Sequence, residues 1–237
     1  MRTHLVALLS LAAACRTESI SEVETRDITA NITATGSGTG STNVAATFRK
    51  GNSLTFLQLT SDDDVKVTQG GTTTELTEFS LLGVVSYSAS VPVDAEGTQF
   101  TVALTRKKDS GAPSSVATLP GAFTIDALTG SFSRAAAGPT IRWSSAVGAD
   151  PMTLSIEGPC IDNFSANLAS GATDYTVAAN ALKKKMASTT DGGTAVPDSC
   201  TVTAQIARER AGTRDPGYGG GTVLGIQRRS VDFTTAP

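Results

Sequence analysis

Ile28-Thr29-Ala30-Asn31-Ile32-Thr33-Ala34-Thr35-Gly36 is the stretch that decides the fold class. Apolar side chains stand at 28, 30, 32 and 34, with polar ones between them. A period of two puts one set on each face of an extended strand, whereas a helix would scatter them around its axis. The pattern recurs outward. After a turn over 36–40, Val44, Ala46 and Phe48 alternate up to Gly51-Asn52, and a third strand covers 54–60. Val65, Val67 and the segment 72–76 flank Gly70-Gly71, the composition of a two-residue hairpin. Residues 81–91 read as one longer strand with Val85, Tyr87, Ala89 and Val91 on a common face. Phe100, Val102 and Leu104 form the next, and 116–125 closes the set, broken at Pro120-Gly121.

A second set follows. Phe132, then Ile141 and Trp143, then Met152, Leu154 and Ile156 give alternating runs. Tyr175 with Val177 gives a short one, and Val202, Ala204 and Ile206 a clear one. Over 222–235, Leu224 and Ile226 share one parity while Val231 and Phe233 share the other. That switch predicts a bulge near Arg228-Arg229. The segment 178–186 is the single stretch with a helical pattern, a turn or two long. Aromatics make up 5% of the chain and charged residues 17%, below the usual quarter, while Thr, Ser, Ala and Gly dominate. Threonine and valine suit a pleated surface. Short strands at this spacing, punctuated by Gly, Pro and Asn, predict an all-β chain built of β-sandwiches. Each set spans roughly the hundred residues of one such domain. The expected units are 28–125 and 126–237.

The order of the second set resembles a fibronectin type III domain. Trp143 holds the second-strand position, 152–158 the third, and Asp198-Ser199-Cys200-Thr201-Val202 resembles the start of the sixth strand. The first set is immunoglobulin-like in pattern. The resemblance implies tandem immunoglobulin/fibronectin type III-like sandwiches. It also implies a disulfide: third and sixth strands are antiparallel neighbours in that fold, so Cys160, just past the third, would lie beside Cys200, at the start of the sixth. Cys200 would take the place where the family has a tyrosine that ties down the corner.

The start of the chain carries an address. Met1-Arg2-Thr3-His4 is short and positive, and 5–14 is apolar apart from Ser10. This is a signal peptide of the usual lengths, too short to span a bilayer, which takes about 20 apolar residues. Leu11-Ala12-Ala13-Ala14-Cys15 resembles the lipobox of bacterial lipoproteins, in which the cysteine receives a diacylglyceryl group and becomes the new N-terminus. Here Leu11 stands four before the cysteine, where the lipobox usually has leucine three before. The alternative is ordinary cleavage after Ala14, leaving a free thiol. Cysteine arithmetic favours lipidation, because two of the three cysteines can pair and Cys15 is the odd one. The polar segment 16–27 reads as a flexible tether. In lipoproteins of this kind an aspartate after the cysteine retains the protein at the inner membrane. Arg16 is not that signal, which favours the outer membrane. The lipobox, the Thr/Gly-rich strands and Asp215-Pro216-Gly217-Tyr218-Gly219 before a last strand together resemble uncharacterised lipoproteins of bacterial cell surfaces.

Composition also excludes chemistry. Cleavage after Ala14 removes Arg2 and His4, leaving eighteen basic side chains against twenty-two acidic ones and no histidine. That balance gives nucleic acid no foothold. Ser-His-Asp and Cys-His mechanisms are absent, as are histidine-based zinc sites. No Ser-x-x-Lys occurs, and no cofactor motif is present. Gly219-Gly220-Gly221 lacks the Gly-Lys-Ser/Thr ending of a phosphate loop. Paired carboxylates could serve glycoside hydrolysis, but nothing in the pattern sets two of them across a cleft. Asp62-Asp63-Asp64 could offer oxygens to a calcium ion, but reads in preference as an acidic turn that keeps a hairpin soluble. Asp94-Ala95-Glu96 and Asp126 resemble cadherin junction acids in placement, without the fuller acidic linker that calcium needs there. Arg106-Lys107-Lys108 and Lys183-Lys184-Lys185 read as hydrated loop runs able to touch anionic lipid or polysaccharide. Trp143 reads as core. Tyr218, among glycines, reads as an exposed loop residue able to stack on a sugar. The expected role is a non-enzymatic structural, adhesive or binding one at the cell envelope, with the membrane as partner through lipid and an envelope protein or surface glycan as candidate ligand. A carbohydrate-binding or carbohydrate-cleaving surface protein is the alternative.

Overall fold

The computed structural model describes residues 16–144, 148–186 and 195–237. Residues 1–15, which hold the expected signal peptide and Cys15, lie outside the described residues. The chain opens on β1 (Arg16–Ser19) and two 3-10 turns, Ile20–Glu22 and Thr25–Asp27. Then come β2 (Ile28–Gly36), β3 (Thr42–Lys50), β4 (Thr55–Gln58), β5 (Asp64–Gln69) and β6 (Thr72–Glu75). They are followed by β7 (Thr77–Leu81), β8 (Val84–Val91), β9 (Gln99–Thr105) and β10 (Ala112–Thr118). The remainder is β11 (Ser131–Ser133), β12 (Thr140–Arg142), β13 (Met152–Glu157), β14 (Phe164–Leu168), β15 (Asp174–Thr176), β16 (Cys200–Ala211) and β17 (Gly220–Ala236). Apart from the two 3-10 turns, the regular elements of the described residues are all β, and the sheets pack face to face in the manner of a sandwich.

The alternation over 28–34 does what it implies. β2 pairs antiparallel with β3 so that Ala30 opposes Phe48, Ile32 opposes Ala46, and Ala34 opposes Val44. All six side chains are fully buried. They face a second layer, β10-β9-β5-β6, whose Val65, Val67, Phe100, Val102 and Leu104 complete the core. Gly70 and Gly71, both at positive φ, close the β5–β6 hairpin as their composition predicts. A separate core gathers Phe123, Ile141, Trp143, Leu154, Ile156, Val202, Ile206 and Phe233.

One sheet serves both cores. Its path is β1-β4-β3-β2-β17-β16-β13-β14, with β8 on the edge of β3, β7 on β8, and β11 on β17. β17 is 17 residues long, about 55 Å at the rise of an extended strand. Its first half runs parallel to β2, Gly220 opposite Thr29 through Gln227 opposite Gly36. Its last residues run parallel to β11. β16 pairs with it from Cys200 opposite Thr235 to Ala211 opposite Leu224. Tyr218 and Val223 therefore pack in the first core although they follow most of the second in sequence.

Several local expectations are corrected. The segment 16–27 is no loose tether: β1 pairs parallel with β4, and Ile20 and Val23 are buried. The buried guanidinium of Arg106 fastens it, donating to Ile20 O (2.5 Å), Thr25 Oγ1 (2.9 Å) and Asp109 Oδ2 (3.3 Å). Arg106 is thus not part of a hydrated basic run. Residues 81–91 are not one strand; Leu82 (φ 50°) and Gly83 (φ 79°) make a tight turn between β7 and β8. The segment 178–186 holds no helix. Asn180 sits at φ 60°, and Lys184 bridges Ile161. The β16–β17 register runs unbroken through Arg228-Arg229, so no bulge lies there. The parity switch needs no bulge: Gly225 and Gln227 lie buried on the face that continues to Phe233, while Ile226 is buried on the opposite face and Leu224 is half-buried.

Candidate functional site

The inward face of β16 changes character along its length. Val202, Ala204 and Ile206 are apolar, and the next two residues of that parity are Arg208 and Arg210. The change falls where the strand leaves the second core, which holds Val202, Ala204 and Ile206. Arg210 holds the carboxylate of Asp150 with two nitrogens, Nε to Oδ1 at 3.0 Å and Nη2 to Oδ2 at 2.8 Å. Its Nη1 donates to Leu119 O at 3.2 Å. Arg208, 1% exposed, donates to Gly148 O (2.6 Å) and Gly121 O (3.3 Å). Leu119 and Gly121 belong to the connection leaving β10, and Gly148 and Asp150 to the approach to β13. Two guanidinium groups therefore tie the linker between the cores to the loop before β13. The bidentate pairing with Asp150 raises the proton affinity of Arg210 above its ordinary value.

Beside this clamp lies a cavity of about 220 Å³, lined among others by Trp143, Asp150, Met152, Leu168 and Arg208. It is smaller than the roughly 300–1,000 Å³ of most small-molecule sites. Trp143 shows only 4% of its surface, so its ring packs in the core as its strand parity predicts. Sequence reading missed the clamp. The signal was present: two arginines two apart on the parity of three buried apolar residues.

The other expected site residues fall as follows. Cys15 lies outside the described residues. Cys160 and Cys200 are joined by a disulfide, Cα–Cα 5.9 Å, just beyond the last β13–β16 pair, Glu157 with Thr203. Asp62, Asp63 and Asp64 are each engaged by a neighbouring group, Lys107 serving two of them. Asp62 pairs with Lys107 at 3.0 Å, and Asp64 with Lys66 at 2.8 Å. Asp63 accepts from Thr60 Oγ1 (2.5 Å) and Lys107 N (3.1 Å). Burial raises its carboxyl, but these hydrogen bonds outweigh it and hold the group below its usual range. Asp94 accepts from Gly40 N at 2.9 Å and Glu96 from Ala122 N at 3.3 Å, so both carboxylates are engaged by backbone amides. Among the described residues no three acidic, cysteine or histidine side chains gather to hold a metal ion. Lys184 pairs with Asp198.

Tyr218 is corrected outright: it is 2% exposed and stacks on Phe48 with centroids 6.1 Å apart. Its hydroxyl has no hydrogen-bond partner among the described residues. Asp215 builds the turn that drives it inward, accepting from Ser114 N (2.8 Å), Ser114 Oγ (2.6 Å) and Gly217 N (2.7 Å).

No known protein family matches this chain, and no curated protein does. Among solved structures, it is similar to the Bacteroides ovatus mixed-linkage glucan utilization locus protein SGBP-B, determined with a mixed-linkage heptasaccharide. The identity is 12%, over 96% of this chain and 69% of that one, with a TM-score of 0.21. It is also similar to titin domains I67–I69, at 9% identity over 86% of this chain and 63% of that one, with a TM-score of 0.24. At such scores neither neighbour bears on what this chain does.

Proposed function

We propose that this chain is a lipid-anchored cell-envelope protein whose body has a non-enzymatic structural, adhesive or binding role, on the outer membrane where the host has one. The observation that carries the proposal is the strand that directly follows Cys15 in sequence. Arg16, the residue after Cys15, is already in a strand at one end of the central sheet's path. A lipid on Cys15 would hold that end at the membrane without a spacer. The Cys160–Cys200 disulfide supports a compartment outside the cytoplasm. Units 28–125 and 126–237 would then stand as tandem sandwiches stapled by β17 and the Arg208/Arg210 clamp, offering loops to an envelope protein or a surface glycan. The test is expression of the full gene, cell fractionation and intact mass. The expected result is a membrane-bound chain starting at Cys15 with the added mass of a diacylglyceryl group and an acyl chain. A free thiol on soluble protein refutes the anchor.

A second reading, carbohydrate binding, is favoured by the cavity that sets Trp143 near the Asp150 carboxylate and the Arg208 guanidinium. Glycan-array screening of the mature protein tests it. Binding that Leu168→Trp, which would fill the cavity, abolishes supports this reading; binding that survives the substitution places the glycan elsewhere.

A further inference from the structure

Five large apolar side chains stand out in water around β1: Leu54 (66% exposed), Phe79 (60%), Leu81 (58%), Leu82 (88%) and Val84 (39%). Four of them form the β7–β8 hairpin. Leu81 opposes Val84 and Phe79 opposes Ser86, so Phe79, Leu81 and Val84 share the hairpin's outward face, while Val85 and Tyr87 point into the core. Leu82 forms the tip. Its φ of 50° is a conformation that glycine or asparagine normally takes in such a turn, so a leucine there is held against local preference. Among the described residues no strand pairs with β7 on its other side. An exposed apolar edge is a feature that proteins in water avoid.

The tip lies against the entry of the chain. Thr17 Oγ1 donates to Gly83 O at 3.3 Å. Arg16 opposes Thr55 in the β1–β4 ladder, which puts Leu54 beside the point where Cys15 joins. Two residues span at most about 7 Å, so the Cα of Cys15 is within that distance of the Cα of Thr17 whatever its conformation. The candidate anchor and the apolar tip therefore reach the same spot. No charged side chain occurs from Phe79 to Val93, so inserting the tip into the headgroup–acyl boundary would desolvate no charge there.

We infer that the β7–β8 tip, with Leu54, is a membrane-seating surface that dips into the lipid interface beside the anchor and fixes how the body stands on the bilayer. This deepens the proposed anchoring and rests on it. With Cys15 lipidated and Cys160 bonded to Cys200, a cysteine introduced by Leu82→Cys is the sole free thiol and takes a nitroxide label. Leu54→Cys gives a second site. Ser170→Cys, on the exposed loop beyond β14 at the far end of the sheet path, is the reference.

The lipidated full chain is reconstituted in phosphatidylethanolamine/phosphatidylglycerol vesicles, and collisions with oxygen and with a nickel chelate are compared by power saturation. Labels at 82 and 54 should show oxygen-rich, nickel-poor collisions typical of about 5–10 Å below the headgroups, and the label at 170 should look aqueous. Lipid confirmed on Cys15 with aqueous labels at all three sites overturns the inference. So does shielding of position 82 in detergent with dipolar broadening, which assigns the surface to a second copy. Shielding at 82 only in precursor that retains residues 5–14 overturns it likewise. Should intact mass find no lipid on Cys15, the anchor falls alone. Added vesicles would still shield positions 82 and 54 if the surface is membrane-seating, and would leave them aqueous if it is not.

Discussion

Replacing both Cys160 and Cys200 with alanine tests how the second core is held. The bond joins positions 40 apart. In the chain-entropy model, closing a loop of about 40 residues removes roughly 13 cal/mol/K from the unfolded chain, or about 4 kcal/mol at 25 °C. The segment inside the loop is held by short elements. Asp162 N donates to Lys183 O at 2.9 Å and Lys185 N to Cys160 O at 3.0 Å. β15 pairs with the three-residue β12, and among the described residues β14 is an edge strand paired with β13 alone. For a chain of this size 1 kcal/mol is worth about 2–4 °C, so calorimetry should show the melting temperature falling by about 8–16 °C. Hydrogen exchange should localise the loss. Amides of β13, β14 and the 160–162/183–185 bridge should lose protection first, while β2 and β3 stay protected in their own core. Reduction of the native protein should reproduce both effects. A fall of less than about 3 °C, or equal loosening in β2 and β3, would refute the view that the bond secures the second core rather than the whole molecule.

Other perturbations follow from the junction and from the first core. Asp150→Ala leaves Arg210, and the buried Arg208 beside it, without their carboxylate; we expect a loss of about 2 kcal/mol by urea denaturation, set below the usual 3–5 for a buried pair because Arg210 is about a third exposed. Tyr218→Phe removes a buried hydroxyl without a partner and should be neutral or stabilising by up to about 1 kcal/mol, whereas Tyr218→Ala should cost about 3–5 kcal/mol; thermal melts of the two variants separate these outcomes. Burial raises the Asp215 carboxyl, but hydrogen bonds from Ser114 and Gly217 outweigh it, so its folded value lies below its unfolded one. Its contribution is then fully present above the unfolded value and is lost as pH falls through the folded one. Asp215→Asn should flatten the decline in urea midpoint between about pH 5 and pH 2, and an unchanged slope would count against that role.

What the sequence made legible was local order. Alternation over 28–34, 44–48, 65–67 and 202–206 marks strands because a half-buried strand needs it, and Gly70-Gly71 marks a hairpin because two positive φ angles need it. The failures share a physical cause: each misread residue is placed by partners far away in the chain. Ile20 and Val23 show no periodicity, yet they are buried because Arg106 and Asp109 capture the backbone around them. The glycines flanking Tyr218 looked like an exposed loop. They are there because a Cβ at Gly219 would meet Arg26 O at 2.0 Å, and one at Gly221 would meet Ala30 O at 1.8 Å. Gly225 is likewise pressed against Thr118 O, at 1.9 Å from a Cβ.

Gly219 and Gly221 mark where β17 enters beside β2, and Gly225 marks where it packs against the end of β10, both far earlier in the chain. Gln227 shows the same logic in a polar residue. It is fully buried, and its Nε2 donates to Asp94 O at 2.9 Å, so a side chain that reads as outward lies on the inward face. The division into two sets of strands follows from where apolar runs begin and stop. That division cannot reveal a last strand that feeds both cores, because period-two patterning records which face of a strand is covered and says nothing about which strand covers its edge. The edges decide this molecule. β17 enters between β2 and β16 and joins the two cores in one sheet, and the edge strand β7 leaves Phe79 and Leu81 exposed.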